Sequence, residues 1–157
     1  MDASSLFMYP DVAEHGPVGF LAGLRSDEVE TILSHMQTVR YARGEVAVRR
    51  GDRDDSLFVA TRGLFEVIVP TTQGIQRARW IRPGELFGEL AFFDHQPRSA
   101  DVRAVENSEA VSMSPGGFDR LRLAKPQLAL RFALDLGRVL SERFRDYDRR
   151  LAALGQH

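Results

Sequence analysis

Phe87-Gly88-Glu89-Leu90-Ala91-Phe92-Phe93-Asp94-His95-Gln96-Pro97-Arg98-Ser99-Ala100-Asp101-Val102-Arg103-Ala104 is the most informative stretch of the chain. Gly88 allows a sharp bend or a close approach of backbone to a ligand. Leu90 to Phe93 is an apolar burst, enough for one helical turn packed on a sheet. The N-terminus of such a turn exposes unpaired N–H groups, which favour anions. Pro97 fixes the chain before Arg98, and Arg98 opens a strand. One guanidinium, the Ser99 hydroxyl and several amides thus converge, a donor set that suits a singly charged phosphodiester. Glu89 can only accept hydrogen bonds and cannot favour phosphate. It suits a neutral hydroxyl, such as a sugar 2′-OH.

Outward from this stretch, the periodicity changes twice. Upstream, Val29, Ile32, Leu33 and Met36 form one apolar stripe of a helix that starts near Ser26. Ser26 is expected to cap that helix, with Asp27 and Glu28 suiting its positive end. From Arg43 the period becomes two. Strands are expected around Val46 and Val48, Leu57 to Val59, Leu64 to Val69, Ile75 to Ile81, Ala100 to Val105 and Ala110 to Met113. Turn signals fall at Gly44, Gly51-Asp52, Arg62-Gly63, Gln73-Gly74, Pro83-Gly84 and Glu106-Asn107. Short strands punctuated this often imply a rolled or double-sheet fold. Beyond Gly117 the helical period returns through Phe118 and Leu121. It then runs through Leu128, Phe132, Leu136, Leu140, Phe144, Tyr147, Leu151 and Leu154. Asp146 and Arg150 are placed to pair at i, i+4.

The central stretch closely resembles the phosphate-binding cassette of the cyclic nucleotide-binding domain family. The family pattern is approximately F-G-E-[LIM]-[AG]-L, a short loop, then P-R-[STA]-A-[TS]-V-x-A. Phe20-Leu21-Ala22-Gly23-Leu24, Tyr41-Ala42-Arg43-Gly44-Glu45, Gly51-Asp52, Leu57-Phe58-Val59, Gly63 and Pro83-Gly84-Glu85 follow the family's order and spacing. The resemblance covers roughly residues 19–151. It implies a mainly β fold with flanking helices: a jelly-roll-like, double-stranded β-helix or β-roll at about 40–115, an N-terminal helix, and C-terminal helices at about 116–154. An arm over residues 1–18 and a single domain over 19–157 are expected. By the same resemblance, Arg98 binds the exocyclic oxygens of a cyclic phosphate. Glu89 accepts the ribose 2′-OH beside Gly88. The amides around Leu90, Ala91, Ser99 and Ala100, with the Ser99 hydroxyl, complete the cradle behind Phe87. The base lies on apolar roll residues under a cap from the C-terminal helix. Asp101 stands where the family has Thr or Ser. Strand alternation puts it on one face with Arg103, which is expected to pair with it.

The expected function is binding of a 3′,5′-cyclic nucleotide, cyclic AMP ahead of cyclic GMP, by a stand-alone cytoplasmic sensor without catalysis. Signalling is expected through movement of the C-terminal helix, dimerisation along its apolar stripe, and an unidentified effector protein. With no helix-turn-helix pattern after Leu154, direct DNA binding is not expected. The alternative is a degenerate module that keeps the fold, binds no nucleotide and serves interaction or dimerisation. A phosphodiesterase or a cupin-like metalloenzyme needs a positioned base or metal ligands. The chain has no cysteine, and its four histidines show no metal spacing. No metal, further cofactor or catalytic residue is therefore expected. Net charge is −1, so no whole-chain field points to nucleic acid or membrane. His95 in the cassette loop is expected to be solvated.

Overall fold

In chain order the elements are α1 (Ser26–Leu33), β1 (Gln37–Tyr41), β2 (Val46–Val48), β3 (Leu57–Arg62), β4 (Phe65–Thr71) and β5 (Gly74–Ile81). After them come β6 (Leu86–Phe87), α2 (Glu89–Asp94), β7 (Asp101–Ala104), β8 (Ser108–Met113), α3 (Pro115–Ala124) and α4 (Pro126–Leu154). This computed structural model describes residues 20–155. The expected arm at residues 1–18 lies outside the described residues.

The strands form two four-stranded sheets, ordered β1-β8-β3-β6 and β2-β7-β4-β5, with every recorded pairing antiparallel. Strand β3 shows why the roll holds together. Successive side chains on a strand point to opposite faces. Phe58 and Ala60 accordingly pack between the sheets with Phe65, Ile81, Phe87, Val102 and Ala110. Leu57 and Val59 pack on the other face with Met113 of β8 and with Val29, Ile32, Leu121 and Phe132 from the helices. Both cores therefore depend on one strand.

Helix α4 starts where Pro126 keeps Lys125 out of the helical conformation (φ −141°, ψ 71°), which separates it from α3. Leu128, Phe132 and Leu136 are buried against the roll. An aromatic chain ties α4 to the short helix α2: Phe92 to Phe118 (centroids 5.6 Å apart), Phe118 to Phe132 (5.9 Å) and Phe132 to Phe20 (5.4 Å). Further along, α4 leaves the roll, and Phe144 and Tyr147 are 71% and 69% exposed. The expected Asp146–Arg150 ion pair is present at 2.9 Å.

The structure corrects the sequence reading in three places. Arg25, not Ser26, is the N-cap of α1, and Glu28 closes the turn by accepting the Arg25 N–H at 2.9 Å. Strand β1 carries no clean alternation because it is a polar edge strand whose only buried residue is Tyr41. Strand β6 is two residues long and shows no period at all.

Candidate functional site

Strand β6 runs straight into α2, and the join is made by Gly88 at φ 74°, ψ 9°. That left-handed conformation disfavours any residue with a Cβ. A Cβ there would also lie 2.8 Å from Arg98 Nη1 and 2.9 Å from Ser56 O. The tight turn brings the cassette's two halves together. On the other side, Arg98 N donates to Asp52 O (2.9 Å) and Gly51 N donates to Arg98 O (2.8 Å), which pins the 97–98 segment on the 51–52 turn.

The result is a cleft of about 120 Å³ lined by Phe87, Gly88, Glu89, Leu90, Ala91, Arg98, Ser99 and Ala100, together with Val48, Val67, Val102 and Arg79. Every ligand-binding residue expected from the sequence is therefore on one wall or another of the same cleft. Phe87 anchors its floor, stacked on Phe58 at 4.8 Å with the rings 2° from parallel. Pockets that enclose a ligand typically span ~300–1,000 Å³, so a larger ligand extends through this cleft's mouth. The N-terminus of α2 has no side-chain cap, and the Ser99 and Ala100 amides make no hydrogen bond among the described residues. These donors are left for an acceptor in the cleft.

Arg98 is placed at the expected end but is not free. Its side chain is only 3% exposed. Nη1 donates to Gly88 O (2.9 Å), and Nη2 donates to Ser56 O (2.8 Å) and Asp54 Oδ2 (3.0 Å). Nε makes no hydrogen bond among the described residues. The two carbonyls fix the guanidinium plane. The Asp54 carboxylate is 56% exposed, so water screens that part of the hold. Burial pushes the Asp54 carboxyl up, but the Ser56 N–H and the Arg98 guanidinium outweigh it and hold it below its ordinary value. An anion entering the cleft can take the place of Asp54 on the guanidinium without leaving a buried charge unpaired.

Glu89 has a partner that sequence reasoning did not find. Arg143, reaching from α4, donates through Nη1 to Glu89 Oε1 (2.7 Å) and through Nη2 to Leu86 O (2.7 Å). Glu89 Oε2 accepts nothing among the described residues, which leaves it for a ligand hydroxyl. Arg79, from β5, also donates to Leu86 O, at 3.1 Å. Burial and then the neighbouring Arg143 charge pull the Arg79 guanidinium down to about 10, with Glu89 opposing. Arg79 and Arg143 lie 10 and 54 residues from Glu89 in the chain, and no local motif links them to it.

Asp101 does not pair with Arg103. The β4–β7 register sets Arg103 opposite Glu66, and Arg103 Nε donates to Glu66 Oε1 at 3.0 Å. Cross-strand partners stand closer than residues two apart on one strand. Asp101 instead accepts the Arg50 N–H (2.7 Å) and lines a neighbouring groove with Ile68, Pro70 and Ile75; that groove shares Arg98 and Ser99 with the cleft, but Asp101 itself does not line the cleft. His95 is largely exposed, but its Nδ1 lies 2.8 Å from Asp55 Oδ2, so it is held rather than simply solvated.

A family model described as the cyclic nucleotide-binding domain matches residues 38–124, more than half of the chain. The cyclic AMP receptor protein of Thermus thermophilus is 31% identical over 121 residues, covering 76% of this chain and 56% of the relative. The cAMP-dependent protein kinase regulatory subunit of Emericella nidulans is 30% identical over 115 residues, covering 73% of this chain and 27% of the relative. The chain thus spans about half or less of these relatives. Among solved structures, the Thermus thermophilus catabolite activator protein aligns with a TM-score of 0.75 at 29% identity, over 87% of this chain and 62% of that one. A cyclic nucleotide-binding domain from Methylobacillus flagellatus aligns with a TM-score of 0.77 at 29% identity, over 83% and 74%. The chain belongs to the cyclic nucleotide-binding domain family.

Proposed function

We propose that this protein is a non-catalytic sensor that binds a 3′,5′-cyclic nucleotide in the cleft between α2, β7 and the second sheet. One observation carries the reading: a single cleft has unspent amides and Arg98 at one end and the open Oε2 of Glu89 at the other. The cyclic phosphate meets the Ser99 and Ala100 amides, the α2 N-terminus and the Arg98 guanidinium, which releases Asp54. The ribose 2′-OH donates to Glu89. The base rests on Val48 and Val67 and extends toward α4, where Arg143 is the candidate cap. Cyclic AMP appears in the names of both relatives cited above, which makes it the first ligand to test. Ligand contact with Arg143 gives α4 a differential affinity in two positions, which is what a nucleotide can use to move it.

The signal then passes through α4. Leu130, Leu134, Phe144, Tyr147 and Leu151 are exposed on it, and this apolar surface suits a second copy of the chain or an effector protein. A second reading has its own observation. Arg98 is buried and already satisfied by two carbonyls and a carboxylate, as a degenerate module that binds no nucleotide would have it.

Calorimetric titration with cyclic AMP and cyclic GMP separates the two. Saturable binding that is lost in Arg98→Ala and weakened for the 2′-deoxy nucleotide supports the sensor. A folded wild-type protein that takes up neither nucleotide sinks it in favour of the degenerate module.

A further inference from the structure

A second groove, of about 290 Å³, runs beside the first half of α4. One wall is the turn before α1, through Leu21, Gly23 and Leu24. The other is α4 itself, through Arg131, Leu134, Asp135 and Arg138. The groove is open and partly apolar. Leu134 is 65% exposed, and a Cβ on Gly23 would meet nothing within 4 Å. At 3.6 residues per turn, Arg131, Asp135 and Arg138 lie on the side of α4 opposite Tyr147 and Leu151. A partner on that distal surface therefore leaves the groove uncovered.

The chain itself supplies an occupant. Phe20 is buried and meets Phe132 edge-on. Leu21 N donates to Asp135 Oδ2 (2.6 Å), and Leu21 sits at φ 64°, a conformation a leucine keeps only where its surroundings hold it. This clip fixes the point at which the nineteen residues before Phe20 join the roll, at the rim of the groove. Among those nineteen, Leu6-Phe7-Met8-Tyr9 is the run of large apolar side chains. Gly16-Pro17 and Gly19 come after it, turn residues that let a chain double back. Residues 10–19 can span at most ~35 Å, ample for a return to a groove that begins at Leu21.

Charge points the same way. Residues 1–19 carry Asp2, Asp11 and Glu14 and no lysine or arginine, whereas α4 carries six arginines against four carboxylates. Asp135, the carboxylate of the groove wall, is taken up by the Leu21 amide and by Arg138. Tethering favours this segment over a separate chain, because a tethered segment meets its site at an effective concentration in the millimolar range.

We propose that this groove is the docking site of the chain's own residues 6–9, which strap the first half of α4 to the 21–24 turn. Their side chains fill the space between Leu24 and Leu134, and the acidic residues that flank them face Arg131 and Arg138. The docked segment shields this side of α4 from other chains. It also opposes any swing of α4 away from the turn, since that swing opens the groove and returns apolar surface to water.

The test uses the full chain, which has no native cysteine. A nitroxide is attached at Ser5→Cys, and the amide signals of isotope-labelled protein are compared before and after the nitroxide is reduced. The amides of Gly23, Leu24 and residues 131–138 are expected to lose most of their intensity, while those of the β4–β5 turn keep theirs. Nitroxide-bearing chains without isotope, mixed with isotope-labelled chains without nitroxide, should cause no loss. Leu134→Asp should restore the groove signals of the nitroxide-bearing chain. Phe7→Asp makes the same comparison from the other partner if Leu134→Asp does not fold. Signal loss in the mixed sample gives the groove to a second copy and overturns the proposal. Full intensity at the groove amides of the nitroxide-bearing chain, or a loss that survives both variants, overturns it too.

Discussion

The two ends of the cleft hold their arginines in opposite ways. At the inner end Arg98 is 3% exposed, bonded to two backbone carbonyls and backed by a partly exposed carboxylate. At the outer end Arg143 comes from another element, holds Glu89 by one oxygen and shares the Leu86 carbonyl with Arg79, with a side chain 28% exposed. The inner arrangement is built into the roll, and losing it strands buried acceptors. The outer arrangement is a contact between the roll and α4, and it can break without damage to either core. A ligand that touches both ends is anchored at one and free to do work at the other.

The comparison breaks first at Gly88. Gly88→Ala combines a left-handed backbone with contacts of 2.8 and 2.9 Å to Arg98 and Ser56. It is expected to cost about 2–4 kcal/mol in denaturant unfolding and to abolish nucleotide binding. Arg98→Ala comes next. It orphans the Gly88 and Ser56 carbonyls, for about 1–3 kcal/mol, and removes binding at the inner end. Arg143→Ala sharpens the contrast from the other side. Leu86 O keeps its Arg79 donor and the ion pair is only partly buried, so unfolding should change by about 1 kcal/mol, less than for Arg98→Ala, yet nucleotide dissociation should speed up, as read by stopped-flow release. If Arg143→Ala destabilises the fold as much as Arg98→Ala does, the two ends are not different in kind.

Smaller effects are expected away from the cleft. Phe144→Glu with Tyr147→Glu should leave unfolding within about 0.5 kcal/mol, since both side chains are largely exposed. If a second copy covers this face, light scattering will show the pair shifted to monomer. The smallest effect belongs to Asp101→Thr. Asp101 bonds the Arg50 amide and does not line the cleft, so nucleotide affinity should move by no more than about threefold, equivalent to ~0.7 kcal/mol.

The same contrast explains what could be read from the sequence. The inner end is local. Gly88, Arg98, Ser99 and Ala100 fall within one short stretch, and a glycine, a helical turn and a proline-fixed segment before β7 force them together. The strand period likewise revealed the roll, because β3 and β4 bury apolar faces. The outer end depends on long-range packing. The helical period located α4 and its buried Phe132 and Leu136, but not which arginine on it reaches Glu89. Arg79 looked like any other polar residue of β5, because its importance comes from the cleft wall opposite. Asp101 was misassigned to Arg103 for a related reason. Same-strand spacing is visible in sequence, whereas the β4–β7 register that gives Arg103 to Glu66 is not. Strand β1, with Gln37, Thr38 and Arg40 on a polar edge, carried no signal strong enough to mark it.

Thermal unfolding of the wild-type chain with and without saturating cyclic nucleotide bears most directly on the cleft as a nucleotide site. A ligand that binds only the folded state at a hundredfold excess over its Kd adds about 2.7 kcal/mol. Cyclic AMP or cyclic GMP should therefore raise the Tm by several degrees, and the same nucleotide should leave Arg98→Ala unmoved. A wild-type Tm unchanged by either nucleotide at millimolar concentration contradicts the assignment and leaves the fold as an interaction module.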